Sequence, residues 1–299
     1  MKLKFFAGAL LALSLAAPAL SKSATYEVGA LQVEQQGKKG PAVILIPGLA
    51  SGTWVWTDTV QRLQKDHTLY LLTLPGFDGR APVAGATLDT LVGDIRKLIE
   101  SKQIARPVLV GHSLGGTLSL KFAAEHSDLI AGVIAVDGLP VFPGTEAQTG
   151  DRKPMAEHTR AQFGGQTREQ FVAGQHGYMK QIGSIDPATA DRLAEQSSRS
   201  DTGAVADFAA QLIELDLRPR LVDIKVPVVE ISPFNAPDFA AMGINEDGKT
   251  GYYRMLLTGV QQLDVVSVSP SRHFVMFDQP KKFATALDAA LIKVGTAAK

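Results

Sequence analysis

A serine set between glycines is the residue of this sequence whose surroundings best suit covalent chemistry. Ser113 lies in the run GHSLGG of residues 111–116, directly after an apolar run at 107–110 and before a helix-like stretch at 117–124. A strand, a sharp turn and a helix in this order lift the serine hydroxyl above a sheet, and glycines let the turn close without a clash. The helix N-terminus also offers backbone N–H groups to a developing oxyanion. The motif therefore predicts nucleophilic catalysis by Ser113.

A serine hydroxyl is a weak nucleophile, so Ser113 needs a base, and His273 is the histidine that we expect to supply it. His273 follows the last predicted strand, and its loop opens at the same carboxyl edge of the sheet as the serine turn. A histidine late in the chain also fits the triad order serine, acid, histidine. The remaining histidines are His112, which we expect to point away from the serine on its turn, and four in polar stretches, His67, His126, His158 and His176.

The oxygen of a tetrahedral intermediate needs two N–H donors. We expect them from Leu114, which follows the nucleophile, and from Leu49, which follows Gly48 in the turn after an early strand. The alternative is that Pro47 and Gly48 form an ordinary turn with no part in an oxyanion hole. Beyond this turn, Trp54 and Trp56 are expected to wall an apolar pocket, unless one of them belongs to the core.

The elements that must position these residues alternate along the chain. Apolar, β-rich runs separated by helix-like stretches predict a mostly parallel sheet with helices on both faces. The strands are predicted at residues 26–36, 42–46, 69–74, 107–110, 132–136, 226–231 and 263–268. One amphipathic helix is predicted at 87–101, with Thr87 as its N-cap, and another closes the chain at 280–294.

A polar segment without strands interrupts this alternation at residues 139–221. Helix-like stretches within it lie at 168–182, 187–197 and 203–215. Because an unstructured loop of this length is uncommon inside a domain, we interpret the segment as a helical cap over the carboxyl edge of the sheet. Such a cap would build the substrate pocket and exclude water. The alternative is a helical excursion that packs on one side of the sheet.

From about residue 25 to its end, the chain resembles the α/β-hydrolase family. The run 111–116 resembles the nucleophile elbow of that family, residues 46–49 its oxyanion turn, and residues 271–274 its late catalytic histidine. Many members have His-Gly where this chain has Pro47-Gly48. The resemblance implies the α/β-hydrolase fold with a helical cap, and a serine hydrolase that works through an acyl-enzyme without a cofactor.

The acid of the triad has two candidates. Many family members carry it in a glycine turn after the penultimate strand, but here that strand is followed by two prolines and an irregular stretch before Asp238. Some branches, including certain dehalogenases, place it one strand earlier, where this chain has Asp137 followed by Gly138. We favour Asp137, because it ends the strand next to the one that carries the serine, and we keep Asp238 as the alternative.

Composition limits the other classes of site. The chain has 299 residues, 45% of them hydrophobic, and its 30 lysines and arginines balance 30 aspartates and glutamates. No excess of positive charge favours nucleic acid. With no cysteine, neither a thiolate nucleophile nor a disulfide framework is available, and no close group of histidines and acids indicates a metal site. We expect a small-molecule partner, while the oligomeric state stays open.

The first residues are typical of a signal peptide. Lys2 and Lys4 precede an apolar stretch at 5–20 that is shorter than a bilayer span and ends in small residues. We expect a signal peptide at residues 1–23, cleaved after Ser21 or Ser23, and a hydrolase domain at 24–299 in the periplasm or outside the cell, not inserted in a membrane. The alternative is an uncleaved membrane anchor.

An ester of a small or medium apolar acid is the substrate we expect, because apolar residues dominate the loops around the motifs. Cleavage of a lactone, an amide or a carbon–carbon bond by the same residues is an alternative. So is a binding protein on a hydrolase scaffold that has lost turnover. Dehalogenases and epoxide hydrolases of this family use an aspartate nucleophile where this chain has Ser113.

Overall fold

The fold is built around one twisted sheet, and the structure, a computed structural model, describes residues 24–296. Its strands are Ala24–Val28 (β1), Leu31–Gln36 (β2), Ala42–Ile46 (β3), Thr68–Thr73 (β4), Val108–His112 (β5), Gly132–Val136 (β6), Val228–Pro233 (β7) and Leu263–Val268 (β8). They lie in the order β1-β2-β4-β3-β5-β6-β7-β8. β2 pairs antiparallel with β1 and β4, and all other neighbours are parallel. The predicted mostly parallel sheet is confirmed.

Helices connect the parallel strands. They are Thr57–Leu63 (α1), Leu88–Ser101 (α2), Leu114–His126 (α3), Lys153–Gly164 (α4), Arg168–Tyr178 (α5), Pro187–Ser197 (α6), Thr202–Glu214 (α7), Ala236–Phe239 (α8), Glu246–Leu256 (α9), Val275–Asp278 (α10) and Pro280–Thr296 (α11). Thr87 is the N-cap of α2, as predicted, and its side chain accepts a hydrogen bond from the N–H of Thr90. Within residues 24–296, no helix is both long enough and apolar enough to cross a membrane.

Two hydrophobic cores cover the two faces of the sheet. Successive strand residues point to opposite faces, so Ile44 and Ile46 of β3 join the core under α2 and α3. Val43 and Leu45 join the core under α1 and α11. The inner strands are apolar on both faces, which is the pattern of a parallel sheet covered by helices. The sheet is therefore a rigid base for the loops at its carboxyl edge.

The prediction of a single strand at residues 26–36 was wrong. The structure has a hairpin of β1 and β2 there. Gly29 has φ +58°, a conformation that glycine adopts without strain, and it reverses the chain there. The N–H of Ala30 donates to the carboxylate of Asp94 at 2.7 Å, which fixes the turn against α2. The apolar pattern continues through the turn and conceals it.

The segment 139–221, which we name the cap segment, holds four helices between β6 and β7. Helices α5, α6 and α7 match the three predicted stretches, and residues Met179–Gly183 extend α5 as one turn of π-helix. Helix α4 was missed because little of it is apolar; it packs along α7, where Ala156 meets Ala210 and Ile213. The predicted signal peptide at residues 1–23 lies outside the described residues.

Candidate active site

Ser113 occupies a strained turn between β5 and α3. Its backbone has φ 53° and ψ −119°, outside the regions that residues with a side chain normally adopt. Such strain costs about 1–3 kcal/mol and persists only where the surroundings impose it. Here the N–H of Ser113 donates to the carbonyl of Val136 at 2.9 Å, and the N–H of Thr117 donates to the carbonyl of Ser113 at 3.0 Å. The fold therefore holds the half-buried Ser113 on the sharp strand-to-helix turn that the motif predicts.

Glycines make this turn possible because the backbone packs there without room for side chains. A Cβ on Gly111 would lie 2.1 Å from the carbonyl oxygen of Gly115. A Cβ on Gly115 would lie 2.3 Å from the carbonyl oxygen of Ile46, and one on Gly116 would lie 2.8 Å from the Cα of Gly138. The glycines of the motif thus bring α3 against β3 and against the end of β6.

The turn after β3 approaches the serine closely. A Cβ on Gly48 would lie 3.1 Å from the Cβ of Ser113, so Leu49 begins beside the nucleophile. Leu114 is the first residue of α3, where a helix leaves its N–H groups without partners inside the helix. The two backbones that we expect to donate to an oxyanion therefore flank Ser113. Their role stays a prediction.

His273 and Asp137 are in direct contact. The Nδ1 atom of His273 lies 2.6 Å from Oδ2 of Asp137, and the two side chains are 12% and 15% exposed. Asp137 directly follows β6 with φ 50°, and its N–H donates to the carbonyl of Ile231 at 3.0 Å. This backbone turns the carboxylate towards the loop after β8. The contact orients the imidazole through Nδ1, so Nε2 is the nitrogen that a general base would use here.

The charge of Asp137 is stabilised despite its burial. Burial by itself would raise the pKa of this carboxyl group. The charge and hydrogen bond of His273 outweigh burial, with help from Lys249 and from the hydroxyl of Tyr253, which donates to Oδ1. The pKa of Asp137 is therefore held well below its usual value. A carboxylate that stays ionised is what stabilises an imidazolium.

Asp238 lies elsewhere and has another partner. Its two carboxylate oxygens accept hydrogen bonds from the Nη2 and Nε atoms of Arg272, at 2.6 and 2.8 Å. The guanidinium holds the pKa of Asp238 below its usual value. Of the two acids that the sequence left open, Asp137 is the one that contacts His273.

We expected His112 to point away from the serine, but in the structure it contacts the backbone of His273. It is fully buried, its Nε2 donates to the carbonyl oxygen of His273 at 3.0 Å, and the two rings lie 4.5 Å apart. Burial, and then repulsion from His273, lower the pKa of His112 to about 3, so it is neutral at physiological pH. His112 thus stabilises the His273 loop through this hydrogen bond to its backbone.

The loop of His273 is also joined to the cap segment. The N–H of His273 donates to the carbonyl oxygen of Ile182 at 3.0 Å, and the N–H of Phe274 donates to that of Gly183 at 2.9 Å. Both acceptors belong to the π-helical turn that follows α5. The backbone position of the histidine therefore depends on the cap segment as well as on β8.

A largely apolar cavity of about 840 Å³ adjoins these residues. Ser113, Asp137 and His273 all line it. Most of the rest of its wall comes from the connection between β7 and β8 and from the cap segment, which contributes Val141, Phe142, Tyr178, Ile182, Leu212 and Leu215. The two tryptophans expected to wall a pocket do not line it: Trp56 is fully buried in the core, and Trp54 stacks on Phe274. A cavity of this size suits a small molecule.

Sequence reasoning missed the contribution of α9. This helix carries Lys249, Tyr252 and Tyr253, which line the cavity. Its glycines, Gly248 and Gly251, weaken the helical pattern. Asn245, whose side chain accepts from the N–H of Gly248 at 2.8 Å, and the two acidic residues that follow it were the available signal for a helix start.

The hydroxyl of Tyr253 makes this residue a positioning group for Asp137. We expect Tyr253→Phe to lower kcat about tenfold with little change in KM, because a lost hydrogen bond to a charged group costs about 1.5–3 kcal/mol and only part of it acts in the transition state. Tyr252→Phe is the matched control, since its hydroxyl donates to Glu146 and not to the acid. Steady-state kinetics of both variants on one ester test this, and equal kcat values would contradict it.

Among residues 24–296, no group of three or more histidine, aspartate and glutamate side chains is arranged to hold a metal ion. The arrangement near Ser113 is one of a nucleophile, a histidine and a carboxylate. Side chains of these three types, held together, can support acyl transfer through a serine.

A sheet of this order with a serine on the turn after its central strand defines a class of hydrolases, and comparison with known proteins agrees. The sequence model of the alpha/beta hydrolase family matches residues 43–286. The chain belongs to this family and is a hydrolase.

Individual relatives are distant. A pimeloyl-[acyl-carrier protein] methyl ester esterase of Edwardsiella ictaluri is 27% identical over 193 residues, which cover 62% of this chain and 71% of that protein. The enol-lactonase of Burkholderia xenovorans LB400 has a similar structure, with a TM-score of 0.70, 20% identity and coverage of 91% and 100%. A thermophilic esterase of Thermogutta terrifontis gives a TM-score of 0.72, 19% identity and coverage of 91% and 99%. At these identities, the two structures show the fold alone.

Proposed function

We propose that this protein is a serine hydrolase that cleaves a carboxylic ester through an acyl-enzyme. The observation that carries the proposal is the shared cavity: Ser113 on its strained turn and the His273–Asp137 pair line the same apolar space. The similarity to the Edwardsiella relative, a methyl ester esterase, supports an ester as the scissile group.

In the proposed reaction, Oγ of Ser113 attacks the ester carbonyl while Nε2 of His273 accepts the hydroxyl proton. The N–H groups of Leu49 and Leu114 donate to the oxyanion, and Asp137 stabilises the imidazolium. As the intermediate collapses, His273 gives the proton to the departing alcohol. Water then attacks the acyl-enzyme while His273 takes a proton from it. As this second intermediate collapses, the bond between the acyl carbon and Oγ breaks, His273 returns the proton to Oγ of Ser113, and the acid is released.

The cavity favours an acyl chain of small or medium size. Its wall is mostly aliphatic and aromatic, and burying each methylene of a substrate against such a wall contributes about 0.8 kcal/mol. Much of this wall belongs to the cap segment, so we propose that this segment sets the chain-length preference.

A fluorophosphonate probe and an ester panel test the proposal. Only an activated serine reacts with the probe, so we expect labelling of Ser113, identified by mass spectrometry of the labelled peptide. We also expect hydrolysis of 4-nitrophenyl esters, with a maximum at an intermediate chain length, in preference to matched lactones and amides. A folded protein that neither takes the label nor cleaves any ester would contradict the proposed function. A preference for lactones would keep the serine chemistry but change the substrate.

A further inference from the structure

A single lysine lines the cavity that Ser113 and His273 share. Lys249 lies on α9 and lines the same cavity as Ser113 and His273. Among the cavity-lining residues in the described chain, it is the only lysine or arginine. Placing a charged ammonium in a largely apolar wall costs free energy unless a group of opposite charge pairs with it. We therefore asked which groups contact Lys249.

The contacts of Lys249 are aromatic. Its Nζ lies 4.8 Å from the ring centroid of Phe239 and 5.6 Å from that of Tyr253. These rings hold the ammonium by cation–π attraction but cannot neutralise its charge. Within residues 24–296, no carboxylate oxygen lies within 4.0 Å of this ammonium to form an ion pair.

The acids whose fields reach Lys249 are Asp137, Asp238 and Glu230, and the hydrogen bonds that they accept come from other residues. The oxygens of Asp137 bind His273 and Tyr253, and both oxygens of Asp238 bind Arg272. Glu230 is fully buried on β7, and its Oε1 accepts from the N–H of Gly138 at 3.2 Å.

Burial shifts the pKa values of both Glu230 and Lys249. Burial, and then the nearby charge of Asp137, raise the pKa of Glu230 well above its usual value. Burial lowers the pKa of Lys249, although Asp137, Asp238 and Glu230 oppose that shift. Because none of these three acids forms an ion pair with Lys249, the cavity that this lysine lines is where an anion can reach its ammonium.

We propose that Lys249 binds a carboxylate of the substrate, so that the preferred substrate is an ester whose apolar chain ends in a carboxylate, such as the monoester of a dicarboxylic acid. One ammonium matches one negative charge. A phosphate monoester, with a charge of about −1.5 to −2 at pH 7, would leave excess charge in an apolar wall close to Asp137. This inference rests on the proposed ester hydrolysis and adds the chemical class of the substrate.

The test compares esters that differ only in the terminal charge. Monomethyl esters of dicarboxylic acids from malonate to suberate are set against the corresponding dimethyl esters, with methanol release as the readout. Alkyl esters are used because a free carboxylate attacks activated aryl esters of short diacids within the same molecule. The variants are Lys249→Met, which removes the charge, and Lys249→Arg, which keeps it. Lys153→Met, at an exposed lysine on α4, is the matched control.

We expect the wild-type protein to favour one monomethyl ester over its dimethyl counterpart. Lys249→Met should lower kcat/KM for that monoester by about 10–100-fold, mainly through KM, the scale of a lost hydrogen bond to a charged group. The KM for the dimethyl ester should change by less than about threefold, and the loss of kcat that follows from weaker support of Asp137 should be equal for the two esters. Lys249→Arg should recover much of the preference, and Lys153→Met should behave as wild type.

Three outcomes would overturn the inference. The first is a wild-type protein that hydrolyses no monomethyl ester faster than the corresponding dimethyl ester. The second is an equal loss of kcat/KM on both esters, mainly in kcat, because Lys249 would then act only by stabilising Asp137. The third is unchanged kinetics in Lys249→Met. Labelling of Ser113 by a fluorophosphonate separates these cases from a failure of the proposed function, since labelling and turnover of neutral esters persist when only the carboxylate assignment is wrong.

Discussion

Replacing Ser113 by alanine is expected to reduce ester hydrolysis to less than about a thousandth of the wild-type rate, the scale of losing a triad nucleophile. The reason is chemical: alanine cannot form the acyl-enzyme, and only the oxyanion donors and the binding pocket would still act on the substrate. Fluorophosphonate labelling should disappear together with turnover.

The fold is expected to survive this change. The backbone hydrogen bonds that hold residue 113 involve its N–H and carbonyl group, which alanine keeps. Far-UV circular dichroism and the melting temperature should therefore match those of the wild type, and Ser101→Ala, at an exposed serine on α2, serves as the matched control. Activity of Ser113→Ala within tenfold of wild type would remove Ser113 from the nucleophile role.

Replacing Asp137 by asparagine is the second change with a large expected effect, a loss of about ten-thousandfold in kcat. Asparagine keeps the shape of the side chain but presents an amide to Nδ1 of His273. The imidazole then favours the wrong tautomer, and no negative charge stabilises the imidazolium. The amide oxygen can still accept from the Tyr253 hydroxyl, but that hydrogen bond then goes to a neutral acceptor.

Asp238→Asn is the matched control for this change. The ion pair of Asp238 with Arg272 is partly exposed, and such a pair contributes about 0–1 kcal/mol to stability. We therefore expect Asp238→Asn to keep activity within a fewfold of wild type. Steady-state kinetics of the two variants on one ester decide the matter, and a greater loss in Asp238→Asn would transfer the role of the acid to Asp238.

Local patterns in the sequence were enough to predict most of the sheet. Each inner strand is apolar on both faces and is bounded by turn residues, so its position follows from a short window. The same holds for the elbow, because its glycines and its strand-to-helix context lie within a few residues of Ser113. At Gly29, a turn interrupts a regular apolar pattern, and the prediction from a short window of sequence missed it.

Contacts between distant residues could not be predicted in this way. Asp137 and Asp238 both follow strands, and only the packing of the loop after β8 determines which of them reaches His273. For the same reason, the positions of Tyr253 and Lys249 near the site could not be predicted. Both residues lie on α9, a helix whose sequence pattern is weakened by two glycines. The field that lowers the pKa of Asp137 is likewise a property of the assembled site.

The two backbone hydrogen bonds between the π-helical turn and the loop of His273 have a consequence for motion. Proteins open locally as well as globally, and surface segments open at lower free energy than core strands. If residues 179–183 detach, the carbonyl groups of Ile182 and Gly183 leave His273 and Phe274 together. A molecule that has opened at this point keeps the contacts of His273 with Asp137 and His112, but its loop has lost both backbone hydrogen bonds to the cap segment.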